Sequence, residues 1–269
     1  MYLMQQTMRW FGPNDPVPLS HIRQAGCSGV VTALHQIAPG EVWPLAAIEE
    51  RKRMIEAAGM SWTVIESLPV SEDIKKRSGN YKQHVENYKQ SIRNVATCGL
   101  KVITYNFMPI LDWLRTDVAY PMPDGSKALY FERAAFVAFD LFLLKRPGAA
   151  ADYSEAERAQ AAAWFAAATD AQKQAVFNNA LLALPGTTEN FTPQQVLEAL
   201  ETYKHIDAAA LKENLVYFLQ QVVPVAEENG VVLAIHPDDP PYSILGLPRI
   251  MSTEQDVAYI ATAVPSTAN

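Results

Sequence analysis

The feature that most constrains the fold is a unit that recurs along the chain: an amphipathic helix, a glycine, then a short apolar run that stops on a polar residue. The glycines are Gly26, Gly59, Gly99 and Gly230. Each stands where a helix needs a residue of positive φ just past its last turn, a position that favours glycine because a Cβ is penalised there. Two copies share letters as well as pattern, Ala25-Gly26-Cys27-Ser28 and Ala58-Gly59-Met60-Ser61. The unit is a βα repeat, and its apolar runs suit strands buried in a parallel sheet.

Five strands are predicted, at residues 5–10, 29–34, 61–65, 100–105 and 231–235. They end on Trp10 (or its neighbour Arg9), His35, Glu66, Asn106 and His236. Ionisable and hydrogen-bonding residues gathered at one end of buried parallel strands describe the face of a (β/α)8 TIM barrel where active sites sit. An open, doubly wound sheet also places ligands at strand ends. No G-x-G-x-x-G follows the first strand, so a dinucleotide fold loses ground and the barrel is preferred.

The helices between these strands are predicted at about 45–58, whose run Glu49-Glu50-Arg51-Lys52-Arg53 reads as a solvent face, and at 81–97. Between the fourth and fifth strands lies more chain than a crossover needs. Residues 107–207 read as a helical insertion, with helices at 131–145, 154–168, 170–184 and 192–204. Capping boxes are expected at Ser154/Glu157 and Thr192/Gln195. The crossover helix follows at 208–228, with Pro224 inside it. The expected organisation is one partial barrel domain, 1–269, carrying the insertion as a lid or oligomer contact. Such a barrel closes with eight strands. Five strands and a last helix from about Thr253 therefore lead to the expectation of an incomplete barrel, truncated at Asn269 and inactive by itself.

A net charge of −7 argues against nucleic acid as partner. No run reaches the roughly 20 apolar residues of a membrane span, and the first residues do not pattern as a signal peptide. Cys27 and Cys98 form no CxxC, so structural thiols in a reducing cytoplasm are expected.

The chemistry rests on the strand ends. His35 and His236, with Glu66 between them and Asp238 and Asp239 just after, could bind a divalent cation, and imidazole with carboxylate suits Mn²⁺, Fe²⁺ or Zn²⁺ better than Ca²⁺. The plainer reading is equally open here: a histidine that caps a core strand, with carboxylates in solvent. His21, His84 and His205 read as surface or helix-end residues. No Ser-His-Asp order, nucleophile elbow or P-loop is present.

Several segments carry a resemblance. They are Arg9-Trp10-Phe11-Gly12-Pro13-Asn14-Asp15-Pro16-Val17, Gly29-Val30-Val31-Thr32-Ala33-Leu34-His35, Tyr105-Asn106-Phe107-Met108-Pro109, Leu144-Lys145-Arg146-Pro147-Gly148, His236-Pro237-Asp238-Asp239-Pro240-Pro241 and Gly246-Leu247-Pro248-Arg249-Ile250. In order and over nearly the whole chain, they resemble the N-terminal two-thirds of the mannonate dehydratase family, divalent-metal barrels related in fold to xylose isomerase. The resemblance implies a hydro-lyase that converts D-mannonate to 2-dehydro-3-deoxy-D-gluconate in hexuronate breakdown. It also implies Mn²⁺ or Fe²⁺ as cofactor and a homo-oligomer, a dimer, for the full-length protein. It makes His236 a metal ligand and places the other ligands and the catalytic acid and base beyond Asn269; neither Cys27 nor Cys98 replaces the family's ligand cysteine. Trp10, His35, Glu66, Asn106 and Asp238 are the candidates for lining the sugar-acid pocket, each with a rim hydrogen bond between loops as its plainer role. A sugar isomerase on the same barrel and a non-catalytic barrel remnant are the alternatives.

Overall fold

The computed structural model describes residues 4–182 and 192–269. In chain order it has β1 (Thr7–Arg9), α1 (Leu19–Gln24), β2 (Gly29–Thr32), α2 (Leu45–Ala57), β3 (Ser61–Glu66), α3 (Glu72–Lys76), α4 (Tyr81–Thr97) and β4 (Val102–Tyr105). Next come β5 (Asp117–Pro121), β6 (Lys127–Tyr130), α5 (Arg133–Ala138), α6 (Glu155–Ala167), α7 (Asp170–Ala180) and α8 (Pro193–Glu201). The chain continues with α9 (Ala208–Glu228), β7 (Val232–Ile235) and α10 (Glu254–Ala263).

The sheet order is β1-β2-β3-β4-β7, and every pairing is parallel. This is the α/β arrangement that the repeat demands. The four glycines that punctuate it have φ of 93°, 74°, 80° and 60° in chain order, so each is the left-handed stop that lets a helix turn back into a strand. Most strands are shorter than predicted. At β2 the reason is visible: the Arg51 guanidinium takes the Ala33 carbonyl at 2.6 Å, and the ladder ends at Thr32.

Two compact units make up the chain. The first holds Met1–Met108, Ala208–Asp238 and Ile250–Asn269; the second holds Pro109–Asp207 and Asp239–Arg249. In the first unit, Phe218 of α9 is the hub of the aromatic core. Its ring meets Tyr88 at 5.0 Å and Tyr105 and Phe107 at 6.0 Å. Burial raises the pKa of both tyrosines, and each hydroxyl is bonded, Tyr88 to the Leu68 carbonyl and Tyr105 to Asn269 Oδ1. Burying such a ring contributes ~1.5–3 kcal/mol, and pairing its hydroxyl avoids the cost of an orphaned polar group.

The second unit is less helical than expected. It contains the β5–β6 hairpin, which no alternation announced because both strands are largely exposed on both faces. Residues 131–145 form α5 followed by a π turn, Phe139–Leu144. Asp140 in that turn is fully buried and accepts hydrogen bonds from Arg146 Nε (3.0 Å), Arg146 Nη2 (2.7 Å) and Tyr153 Oη (2.6 Å). The capping boxes at Ser154 and Thr192 are present, with Pro193 opening α8. The expected end of the 170–184 helix falls partly outside the described residues; α7 closes at Ala180. Among the described residues no helix is long and apolar enough to cross a membrane.

Candidate active site

Because the five strands run parallel, their carboxyl ends lie along one edge of the sheet. Arg9, the last residue of β1, reaches over β2 to Glu66, the last of β3, with Nη1 to Oε1 at 2.8 Å. Burial lowers the Arg9 pKa further than the Glu66 charge raises it, so the guanidinium that pairs with Glu66 lies in a poorly hydrated place. The Arg9 guanidinium lies over the Phe11 ring (4.7 Å), and that ring is 6.0 Å from His35. Trp10 is buried, and its amide donates to the Val31 carbonyl at 2.9 Å, which carries the β1–β2 ladder one residue past Arg9.

His35 sits among these groups. Neither ring nitrogen is exposed, and neither makes a well-aligned hydrogen bond to the described residues, although the Phe11 backbone lies close enough to favour a proton on the ring. Burial, reinforced by the charges of Arg9 and Arg51, pulls its pKa down from 6.5 to about 4; the Phe11 backbone and Asp15 offset this only in part. The imidazole is therefore neutral at physiological pH, with one N–H and one lone pair to offer.

At the other end of the row, Asn106 is buried just past β4. The His236 amide extends the ladder by donating to the Tyr105 carbonyl at 2.7 Å. The His236 ring has Nδ1 2.6 Å from the Pro237 carbonyl. A carbonyl can only accept, so Nδ1 donates in this contact, the backbone hold that orients many metal-ligating histidines. Yet among the described residues no three His, Cys, Asp or Glu side chains come together as a metal site. These residues by themselves do not compose a divalent-cation site.

The structure thus brings Trp10, His35 and Glu66 together, with Arg9, Phe11 and Arg51 added. Asp238 serves differently. Its Oδ2 accepts from the Met251 amide (2.5 Å) and Ser252 Oγ (3.0 Å), tying the loop after β7 to the loop before α10, as in the plainer reading. Asp239 pairs with Arg115.

One other expectation is corrected. Arg51 was assigned to a solvent face, but it is buried, because it shares the stripe of α2 that carries Ile48 and Ile55. That i, i+3, i+7 spacing was the signal available in the sequence. His84 is half-buried with Nδ1 hydrogen-bonded to Ser71 Oγ at 2.9 Å. The cysteines are both free, and Cys98 is an inert core thiol whose pKa burial and neighbouring Glu49 push up to about 11.

Fold and site together define a parallel α/β protein with a polar, partly desolvated cluster at the carboxyl ends of its strands. The chain belongs to the D-mannonate dehydratase (UxuA) family, whose model matches residues 4–269. It is 53% identical over 266 residues to a mannonate dehydratase of Chromohalobacter salexigens and 52% identical over 266 residues to one of Marinomonas sp.. Each match covers 99% of this chain and 68% of the relative. The crystal structure of mannonate dehydratase from Streptococcus suis serotype2 superposes with a TM-score of 0.72 at 36% identity, over 100% of this chain and 63% of that one. The chain therefore spans about two-thirds of the length of these proteins, which does not by itself establish the truncation expected from the strand count.

Proposed function

We propose that the strand-end cluster binds D-mannonate, and that the protein dehydrates it to 2-dehydro-3-deoxy-D-gluconate on a (β/α)8-type barrel. The observation that carries this reading is the family match over residues 4–269, at more than half identity to proteins named for that activity. The reaction removes the C2 proton beside the carboxylate, expels the C3 hydroxyl as water and lets the enol become the ketone. Its difficulty is the charge that builds on the carboxylate as the proton leaves, so cationic and hydrogen-bonding groups must already be in place.

This chain supplies such groups. Arg9 is a desolvated cation suited to a carboxylate. The neutral His35 ring donates from one nitrogen and accepts at the other, a match for sugar hydroxyls. Trp10 and Asn106 wall the site, Glu66 holds Arg9, and Asp238 shapes the loop behind His236. Family membership implies a divalent metal ion; Mn²⁺ or Fe²⁺ suits imidazole and carboxylate donors, with His236 as this chain's contribution to it. The family resemblance also carries with it a dimeric assembly. Two free thiols suit a reducing cytoplasm.

The test is product analysis with the protein expressed from its native gene, supplied with D-mannonate and Mn²⁺. Accumulation of 2-dehydro-3-deoxy-D-gluconate supports the reading. Unchanged D-mannonate, or its epimerisation at C2 without loss of water, contradicts it.

A further inference from the structure

We propose that Arg51 is a positioning residue of this site: its guanidinium grips the chain on both sides of His35, so that the imidazole is held at the strand end for a bound sugar acid. The proposal rests on the reading of the strand ends as the sugar-acid site.

The grip is seen in four contacts. Arg51 Nη1 donates to the Ala33 carbonyl (2.6 Å) and Thr32 Oγ1 (3.3 Å), just before His35. Its Nη2 donates to Gln36 Oε1 (3.4 Å), just after. The guanidinium also lies 5.3 Å from the centroid of the Trp10 ring. Beside it, Gly12 has φ +99°, and a Cβ there would stand 3.1–3.3 Å from the guanidinium atoms, so the β1–α1 turn closes directly onto Arg51. A buried imidazole without a well-aligned hydrogen bond is unfavourable and persists only where its surroundings over-determine its position. Arg51 is the group that does so from α2.

The charged groups around the ring point the same way. Arg9 faces His35 from β1, neutralised in part by Glu66 from β3; Arg51 faces it from α2, with Glu50 near; Asp15 faces it from the turn, its carboxylate already accepting the Phe11 and Val17 amides at 2.7 and 2.8 Å. Of the charges that act on the ring, those of Arg9 and Arg51 outweigh that of Asp15, whose carboxylate is already committed, and so disfavour a third cation. The ring is thereby kept as a hydrogen-bonding group rather than a charge.

The experiment is a pH titration of the His35 ring by NMR of histidine-labelled protein, for wild type, Arg51→Gln and Arg51→Lys, each without and with D-mannonate. The wild-type ring should titrate near pH 4. Arg51→Gln should move the midpoint up by roughly one pH unit, since a like charge is lost. Arg51→Lys should keep the midpoint close to wild type but weaken D-mannonate binding by roughly fivefold or more, because an ammonium cannot reproduce the fork. A merely structural arginine predicts no difference in the midpoint between the two variants, and equal midpoints with unchanged D-mannonate affinity overturn the proposal. If Arg51→Gln does not fold, the affinity of Arg51→Lys decides. A wild-type His35 signal that ignores D-mannonate overturns the sugar-acid reading instead, while the Arg51–His35 coupling is still read from the ligand-free spectra.

Discussion

Arg9 and Glu66 form an ion pair at 2.8 Å across the strand that lies between their own, so one bond ties the ends of β1 and β3 together over β2. Both side chains are about one-fifth exposed, at 18% and 23%. Glu66→Gln leaves the Arg9 charge without its carboxylate. With screening by the remaining solvent contact, the expected cost is about 1–2 kcal/mol. Urea denaturation should show it as a lower midpoint with an unchanged slope; a variant as stable as wild type would mean the pair is energetically idle.

His35 makes stability depend on pH in a defined window. Its native pKa is about 4 against an ordinary 6.5, so between those values the unfolded chain binds a proton that the native state refuses. Stability is therefore full above pH 6.5, falls as the pH drops toward 4, and is level below that as far as this group is concerned. The full interval corresponds to about 3 kcal/mol, which partial exposure reduces to about 2. Comparing His35→Gln with wild type at pH 7 and pH 4.5 isolates the term. The variant should lose less stability on acidification, and parallel losses would refute the assignment.

In the second unit, Asp140 is fully buried while Arg146 and Tyr153 both donate to it. Burial alone lowers the arginine pKa, but Asp140 and Asp152 outweigh it and raise the value overall. Asp140→Asn leaves a cation largely out of water and is expected to cost about 2–3 kcal/mol. Asp152→Ala, which removes a partner that is 43% exposed, should cost under about 1 kcal/mol. Urea unfolding of the two variants gives the ratio; equal effects would show that the buried carboxylate is not the anchor.

Gly12→Ala probes the turn that carries Trp10 to Asp15. The backbone there has φ +99° and the added methyl meets the Arg51 guanidinium. The expected loss is about 1–2 kcal/mol, with a shift in tryptophan fluorescence as Trp10 is displaced. A variant with wild-type stability and spectrum would mean that the turn yields freely.

Much of the frame could be read from the sequence because βα repeats write themselves in two periods and a glycine. The positions of Gly26, Gly59, Gly99 and Gly230 place four of the five strands of the sheet, β2, β3, β4 and β7, and their polar ends. The β5–β6 hairpin could not be read, since strands exposed on both faces carry no apolar alternation. The short α3 was hidden between Pro69 and Gly79, too brief to show a period. In the site, His35 and Glu66 were found by strand-end position, but what Arg51 and Asp238 do was not. Arg51 was masked by charged neighbours in sequence, although its spacing from Ile48 and Ile55 marked a buried stripe. Asp238 sits beside a histidine in the sequence yet bonds to Met251 and Ser252, a long-range pairing that local pattern does not encode.

The most direct measurement is a crystal structure of the protein with D-mannonate and Mn²⁺. The sugar acid should lie within hydrogen-bond distance of a His35 ring nitrogen with its carboxylate toward Arg9. D-mannonate bound elsewhere, touching neither His35 nor Arg9, would contradict the assignment of the strand ends as the substrate site.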